Sequence, residues 1–154
     1  MAEIVFVCTG NICRSPMAET LLRNKIALAG LQDRLTVRSA GLAAPTGSPA
    51  SEGAKKAMAK RGLTIDAHRA TQMTLGLVDQ ADLVLTMTER HRLSILQAAP
   101  EAANKTWGLK EYAGLLGDVE DPYGGSDAVY ESCAAELEEL LDAVWEKVSR
   151  LAGK

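Results

Sequence analysis

The sequence predicts an α/β fold, a mostly parallel β-sheet covered by helices on both faces. Three observations predict it. Short apolar runs rich in β-branched residues alternate with stretches of helical periodicity. Gly and Pro fall where those helices should start and stop. The 154-residue chain has no internal repeat, low-complexity tract or linker, so residues 1–154 read as a single domain.

Ile4–Val7 is wholly apolar and reads as a buried central strand. A Gly-containing loop follows, then Ser15-Pro16, with Pro16 expected at the first helical position because its missing N–H would be unpaired there anyway. Met17, Leu21, Leu22, Ile26 and Ala29 recur at helical spacing, and Gly30 ends that helix. Leu35–Ser39 is the next strand, completing a βαβ unit. Ser51–Arg61 reads as a helix closed by Gly62, and Leu75–Ala81 as a short helix. Leu83–Thr86 is a strand, Thr88–Ala99 a helix ending before Pro100, and Lys105–Gly108 a short strand. Ser126 caps a long helix whose apolar stripe is Val129, Cys133, Leu137, Leu140, Leu141, Val144, Val148 and Leu151. In such a fold ligand sites lie at the carboxyl ends of the strands, where the loop after the first strand also lies.

Aromatics are only 4% of the chain, so aliphatic side chains and Ala must fill the core. The net charge of −3 argues against a nucleic-acid partner, which a basic excess would serve. No apolar run approaches the ~20 residues that span a bilayer, so no membrane insertion is expected. The N-terminus lacks the basic n-region of a signal peptide, and three cysteines do not suggest a secreted disulfide framework. Cytoplasmic residence is the expectation, with thiols free for chemistry.

The chemistry is expected in Cys8-Thr9-Gly10-Asn11-Ile12-Cys13-Arg14-Ser15. The pattern of Cys, five residues, Arg, then Ser or Thr arises by chance in about one chain in a hundred of this length. Here it leaves a buried strand and enters a helix. Successive backbone amides in such a loop form an anion nest, and the helix N-terminus adds partial positive charge. Arg14 can grip two phosphate oxygens with its planar fork. The same groups favour a thiolate at Cys8, and Ser15 can donate to it or cap the helix. Gly10 and Asn11 suit a tight turn because both tolerate positive φ. A cysteine ending a buried strand reads as core packing by itself; Gly10, Arg14 and Ser15 make it a candidate nucleophile.

Cys8 to Ser15, followed by Pro16-Met17-Ala18-Glu19, closely resembles the signature of the low-molecular-weight protein tyrosine phosphatases. The resemblance covers essentially the whole chain, with Asp121-Pro122 as a second marker. It implies a four-stranded parallel sheet with flanking helices, a phosphate-binding loop after the first strand, a phosphocysteine at Cys8 and no metal. No cofactor is expected, because the amide nest and Arg14 take a metal's place. An acid must protonate the leaving group and later take a proton from water. Chemistry leaves Asp118, Glu120 and Asp121 open; the resemblance selects Asp121. It also implies that Asn11, Ser39 and His68 hold the loop in shape, that Tyr123 lines the substrate entrance, and that Cys8 and Cys13 can pair as a protective disulfide. Cys133 lies on the last helix's apolar stripe and reads as core.

The expected partners are phosphorylated proteins. Pro45, Thr71, Thr88 and Gly124 depart from common family residues, and Asp121–Ser126 looks like the bacterial branch that includes protein arginine phosphatases. Those enzymes typically carry Thr where this chain has Ile12. The apolar Ile12 favours a flat phenyl group, so phosphotyrosine is the expected substrate and phosphoarginine the alternative. An arsenate reductase would need two further cysteines near Asp79–Arg92, where there are none. A phosphoprotein-binding module without hydrolysis would lack the nucleophile or the acid, and Cys8, Arg14 and Asp121 are all present.

Overall fold

The computed structural model describes residues 1–153. Strand β1 spans Ala2–Cys8, β2 Leu35–Gly41, β3 Leu83–Thr86 and β4 Thr106–Gly108. They form one four-stranded sheet in the order β2-β1-β3-β4, with every pair parallel. The chain leaves β1 toward β2 on one side and later returns to β3 on the other. The carboxyl end of β1 is therefore the topological switch point, where an open α/β sheet leaves a crevice.

Helix α1 spans Arg14–Leu28, α2 Glu52–Ala59, α3 Leu75–Gln80, α4 Glu89–Ala98, α5 Leu109–Tyr112 and α6 Asp127–Arg150. Side chains of a strand alternate between faces, and β1 is buried on both. Ile4 and Phe6 join the larger core with Leu22 of α1, Met58 of α2 and Leu137, Leu141 and Val144 of α6. Val5 and Val7 join a smaller core with Val78 of α3 and Ile95 of α4. That double burial is why β1 reads as continuous apolar sequence. Among the described residues no helix is long and apolar enough to cross a membrane.

The expected elements are present with moved boundaries, and α5 over Leu109–Tyr112 and a 3-10 turn over Pro100–Ala102 are additions to them. Helix α1 starts at Arg14, so Pro16 is its third residue, where an N–H would still lack an intrahelical acceptor. Ser15 does not cap this helix: the cap position is Cys13 and no side chain fills it. Ser51 caps α2 by accepting from the Ala54 amide at 3.4 Å. Strand β2 runs on to Gly41, two residues past Ser39. On α6, Val129 is 46% exposed and Tyr130 takes its place in the core, while Leu151 lies in a terminal 3-10 turn. The Tyr130 ring lies over Gly53 of α2, where a Cβ would come within 2.2 Å of it. That bare backbone makes room for an aromatic which the aliphatic stripe does not suggest. Cys133 packs in the larger core, where burial pushes its thiol up to about 12.

Candidate active site

The loop from Cys8 to Arg14 leaves β1 and enters α1, and its carbonyls are tied outward. Cys8 O accepts from the Leu42 amide at 3.0 Å, Thr9 O from Ala43 at 2.9 Å and Ile12 O from Ser51 at 2.9 Å. Asn11 O accepts from His68 Nε2 at 2.7 Å, and because a carbonyl only accepts, Nε2 carries the proton. With these carbonyls turned out, the amides of Gly10, Ile12, Cys13 and Arg14 donate to no acceptor among the described residues. Unpaired inward amides at a helix N-terminus make an anion nest.

The turn works through Asn11 and not through Gly10. Asn11 has φ 57, the one non-Gly residue among those described with positive φ, whereas Gly10 lies outside that region. Gly41 has the stricter requirement: a Cβ there would stand 2.6 Å from Thr9 O and 3.0 Å from Asn11 N. The end of β2 must be bare backbone for the loop to pass over it.

The side chains of Asn11 and Ser15 are fully buried on the inner side of the loop, and neither residue lines the cavity expected to contact substrate. They form a polar floor whose proton directions can be deduced. Asn11 Oδ1 accepts from the Thr71 amide at 2.8 Å, which turns its NH₂ toward Ser15 Oγ and Ser39 Oγ, each at 2.9 Å. Both serine oxygens therefore accept from Asn11. The Ser15 hydrogen is left for Cys8 Sγ, 2.8 Å away, and Asn11 N donates to the same sulfur at 3.2 Å. Two donors converge on sulfur, which is the arrangement a thiolate wants. The Ser39 hydroxyl bonds onward to Glu19.

Above this floor is a cavity of about 210 Å³ lined by Cys8, Thr9, Gly10, Ile12, Cys13, Arg14, Asp121 and Tyr123. Arg14 is 4% exposed; its Nη1 donates to Val119 O at 2.9 Å, and its Nε has no partner among the described residues. Its Nη2 stands 3.6 Å from Asp121 Oδ2, whose side chain is half exposed. The three acids of the loop separate here. Asp118 accepts from the Glu89 amide at 2.9 Å, all three acids border a neighbouring groove, and Asp121 alone of the three also lines the cavity that holds Cys8. Asp121 Oδ1 also accepts from the Tyr123 amide at 3.1 Å, which fixes the turn at Pro122.

Cys13 Sγ lies 3.3 Å from both Ser51 Oγ and Tyr130 Oη. Burial pushes this thiol up, and burial with the Cys13 contact pushes Tyr130 up to about 12. The sequence reading missed Tyr130, Gly41 and His91. His91 is 5% exposed, with Nε2 2.9 Å from Thr9 Oγ1. One signal was available for it: a histidine in the first turn after β3 must lie at the same sheet edge as the loop after β1.

A sequence model described as low molecular weight phosphotyrosine protein phosphatase matches residues 3–152. The chain belongs to this family. It is 45% identical over 147 residues to a protein-arginine-phosphatase of Geobacillus stearothermophilus, covering 95% of each chain. It is 39% identical over 140 residues to a probable low molecular weight protein-tyrosine-phosphatase, EpsP, of Ralstonia solanacearum, covering 91% of each. Its fold matches a YwlE arginine phosphatase mutant with a phosphorylated active site serine, with a TM-score of 0.91, 39% identity and coverage of 97% and 99%. Family membership makes the protein a cysteine-based phosphatase, a hydrolase.

Proposed function

We propose that the protein hydrolyses phosphotyrosine on protein side chains through a phosphocysteine at Cys8, followed by attack of water. The Cys8 thiolate attacks phosphorus, and the bond to the tyrosine oxygen breaks. Asp121, as the acid, gives the departing phenoxide its proton. Water then attacks the phosphocysteine, Asp121 takes its proton, and thiolate and inorganic phosphate are released. The free amides of the nest and Arg14 carry the transition-state charge. Arg14 Nε has no partner among the described residues, so a phosphate oxygen completes it. Phosphate arriving between Arg14 and Asp121 also takes the guanidinium from the carboxylate and leaves Asp121 facing the leaving group.

The observation that carries the substrate reading is Ile12 in the wall of the cavity beside Cys8. Its apolar side chain packs against a phenyl ring and offers a guanidinium no partner. The second reading, phosphoarginine, has the 45% identical protein-arginine-phosphatase in its favour. The three cysteines are free thiols, and a thiol nucleophile suits the reducing cytoplasm. Release of phosphate from paired phosphotyrosine and phosphoarginine peptides, with Cys8→Ser as blank, tests the proposal. Faster release from phosphotyrosine is expected. Faster release from phosphoarginine would overturn the substrate while leaving the Cys8 chemistry in place.

A further inference from the structure

We propose that His91 is a positioning residue which, through the Thr9 hydroxyl, adds a side-chain hydrogen-bond donor to the rim of the phosphate site. The inference rests on the reading of that loop as a phosphate site and deepens it.

His91 lies in the first turn of α4, 5% exposed, with Nε2 2.9 Å from Thr9 Oγ1. Its other ring nitrogen, Nδ1, is enclosed and has no partner among the described residues. The charged groups acting on the ring are Arg14 of α1, Arg90 of α4, and Asp118 and Asp121 of the acid loop. Burial first, then Arg14, lowers its pKa to about 4, so the ring is neutral near pH 7 and carries one proton for two nitrogens.

The position of that proton decides what Thr9 does. On Nδ1 it would be a buried donor with no acceptor. On Nε2 it points at Thr9 Oγ1, and only a lone pair at Nδ1 goes unused. Buried donors are left orphaned less readily than acceptors, so Nε2 donates and Thr9 Oγ1 accepts. The Thr9 hydroxyl hydrogen is then turned away from the ring. The Thr9 carbonyl is already bonded to the Ala43 amide, and Thr9 lines the cavity beside Cys8 and Arg14. The hydroxyl hydrogen is therefore available to an oxygen of an anion on the loop. A donor to a charged oxygen is among the stronger hydrogen bonds, and it supplements the backbone amides.

The test measures how well inorganic phosphate protects Cys8 from iodoacetamide, which needs no phosphopeptide. Four variants are compared: Thr9→Val, His91→Leu, the two combined, and His91→Gln, whose amide N–H can still reach Thr9. Thr9→Val and His91→Leu should each weaken protection about tenfold. The combination should be no weaker than Thr9→Val alone, and His91→Gln should stay near wild type. An unchanged Thr9→Val would overturn the inference. So would a His91→Leu loss of equal size in the Thr9→Val background, which marks a purely structural role. Should His91→Leu not fold, rescue by Thr9→Ser against loss in Thr9→Val keeps the hydroxyl claim testable. If phosphate does not protect the wild-type thiol at all, the phosphate-site reading falls and the inference falls with it. If phosphate protects but no phosphopeptide is hydrolysed, the proposed function fails while the Thr9–His91 coupling can still be read.

Discussion

Asn11→Ala should be costly twice over, in stability and in the reactivity of Cys8. The side chain is fully buried and makes three hydrogen bonds, to the Thr71 amide, Ser15 and Ser39. At about 1 kcal/mol net per bond, their loss costs about 3 kcal/mol. The backbone at φ 57 adds about 1 kcal/mol for an L residue without Asn's tolerance of that region. The sum is about 4 kcal/mol, a large share of the ~5–15 kcal/mol stability of a typical domain. Asn11→Gly removes the same side chain without the φ cost and should be milder by about 1 kcal/mol. Urea unfolding reads both variants. Alkylation of Cys8 by iodoacetamide should also slow, because Ser15 is then free to turn its hydrogen away from the sulfur. A loss below ~0.5 kcal/mol in Asn11→Ala, the range of an ordinary surface change, would refute the reasoning, and so would an Ala variant more stable than the Gly variant.

In α2, Ala normally stabilises a helix over Gly by about 1 kcal/mol, but Gly53→Ala should destabilise by about 2 kcal/mol because its Cβ meets the Tyr130 ring at 2.2 Å; thermal unfolding gives the sign. Burial keeps His91 neutral with its pKa lowered from 6.5 to about 4. Between those values the unfolded chain binds a proton that the folded chain refuses, so stability is full above about pH 6.5 and falls toward pH 4. The loss reaches about 3 kcal/mol, and His91→Gln should flatten the urea-midpoint curve over that window. Under mild peroxide, wild-type activity should return on reduction while Cys13→Ala loses it for good, as a protective Cys8–Cys13 disulfide requires; equal recovery would remove Cys13 from that role.

What was legible in the sequence is what neighbouring residues determine. β1 is apolar from Ile4 to Val7 because both faces are covered there, and the Cys8–Ser15 spacing shows the nest because the chemistry is local. The remainder depends on contacts distant in sequence. Gly41 is needed only because the first loop crosses β2, and Tyr130 is accommodated only because Gly53 faces it. The carbonyl bond to Asn11 that makes His68 more than a surface histidine joins residues 57 apart. Composition could not separate Asp118 from Asp121, because the difference is an amide of α4 on one side and the cavity on the other.

The most direct test of the central claim is rapid acid quench of the Asp121→Ala enzyme with a phosphotyrosine peptide, followed by mass mapping. Without Asp121 the first step loses its acid and the second its base, so turnover should fall sharply while the phosphate trapped at quench sits on the peptide carrying Cys8, with none in Cys8→Ala and normal turnover in Asp118→Ala. Phosphate on another residue, or continued turnover by Cys8→Ser, would contradict the account.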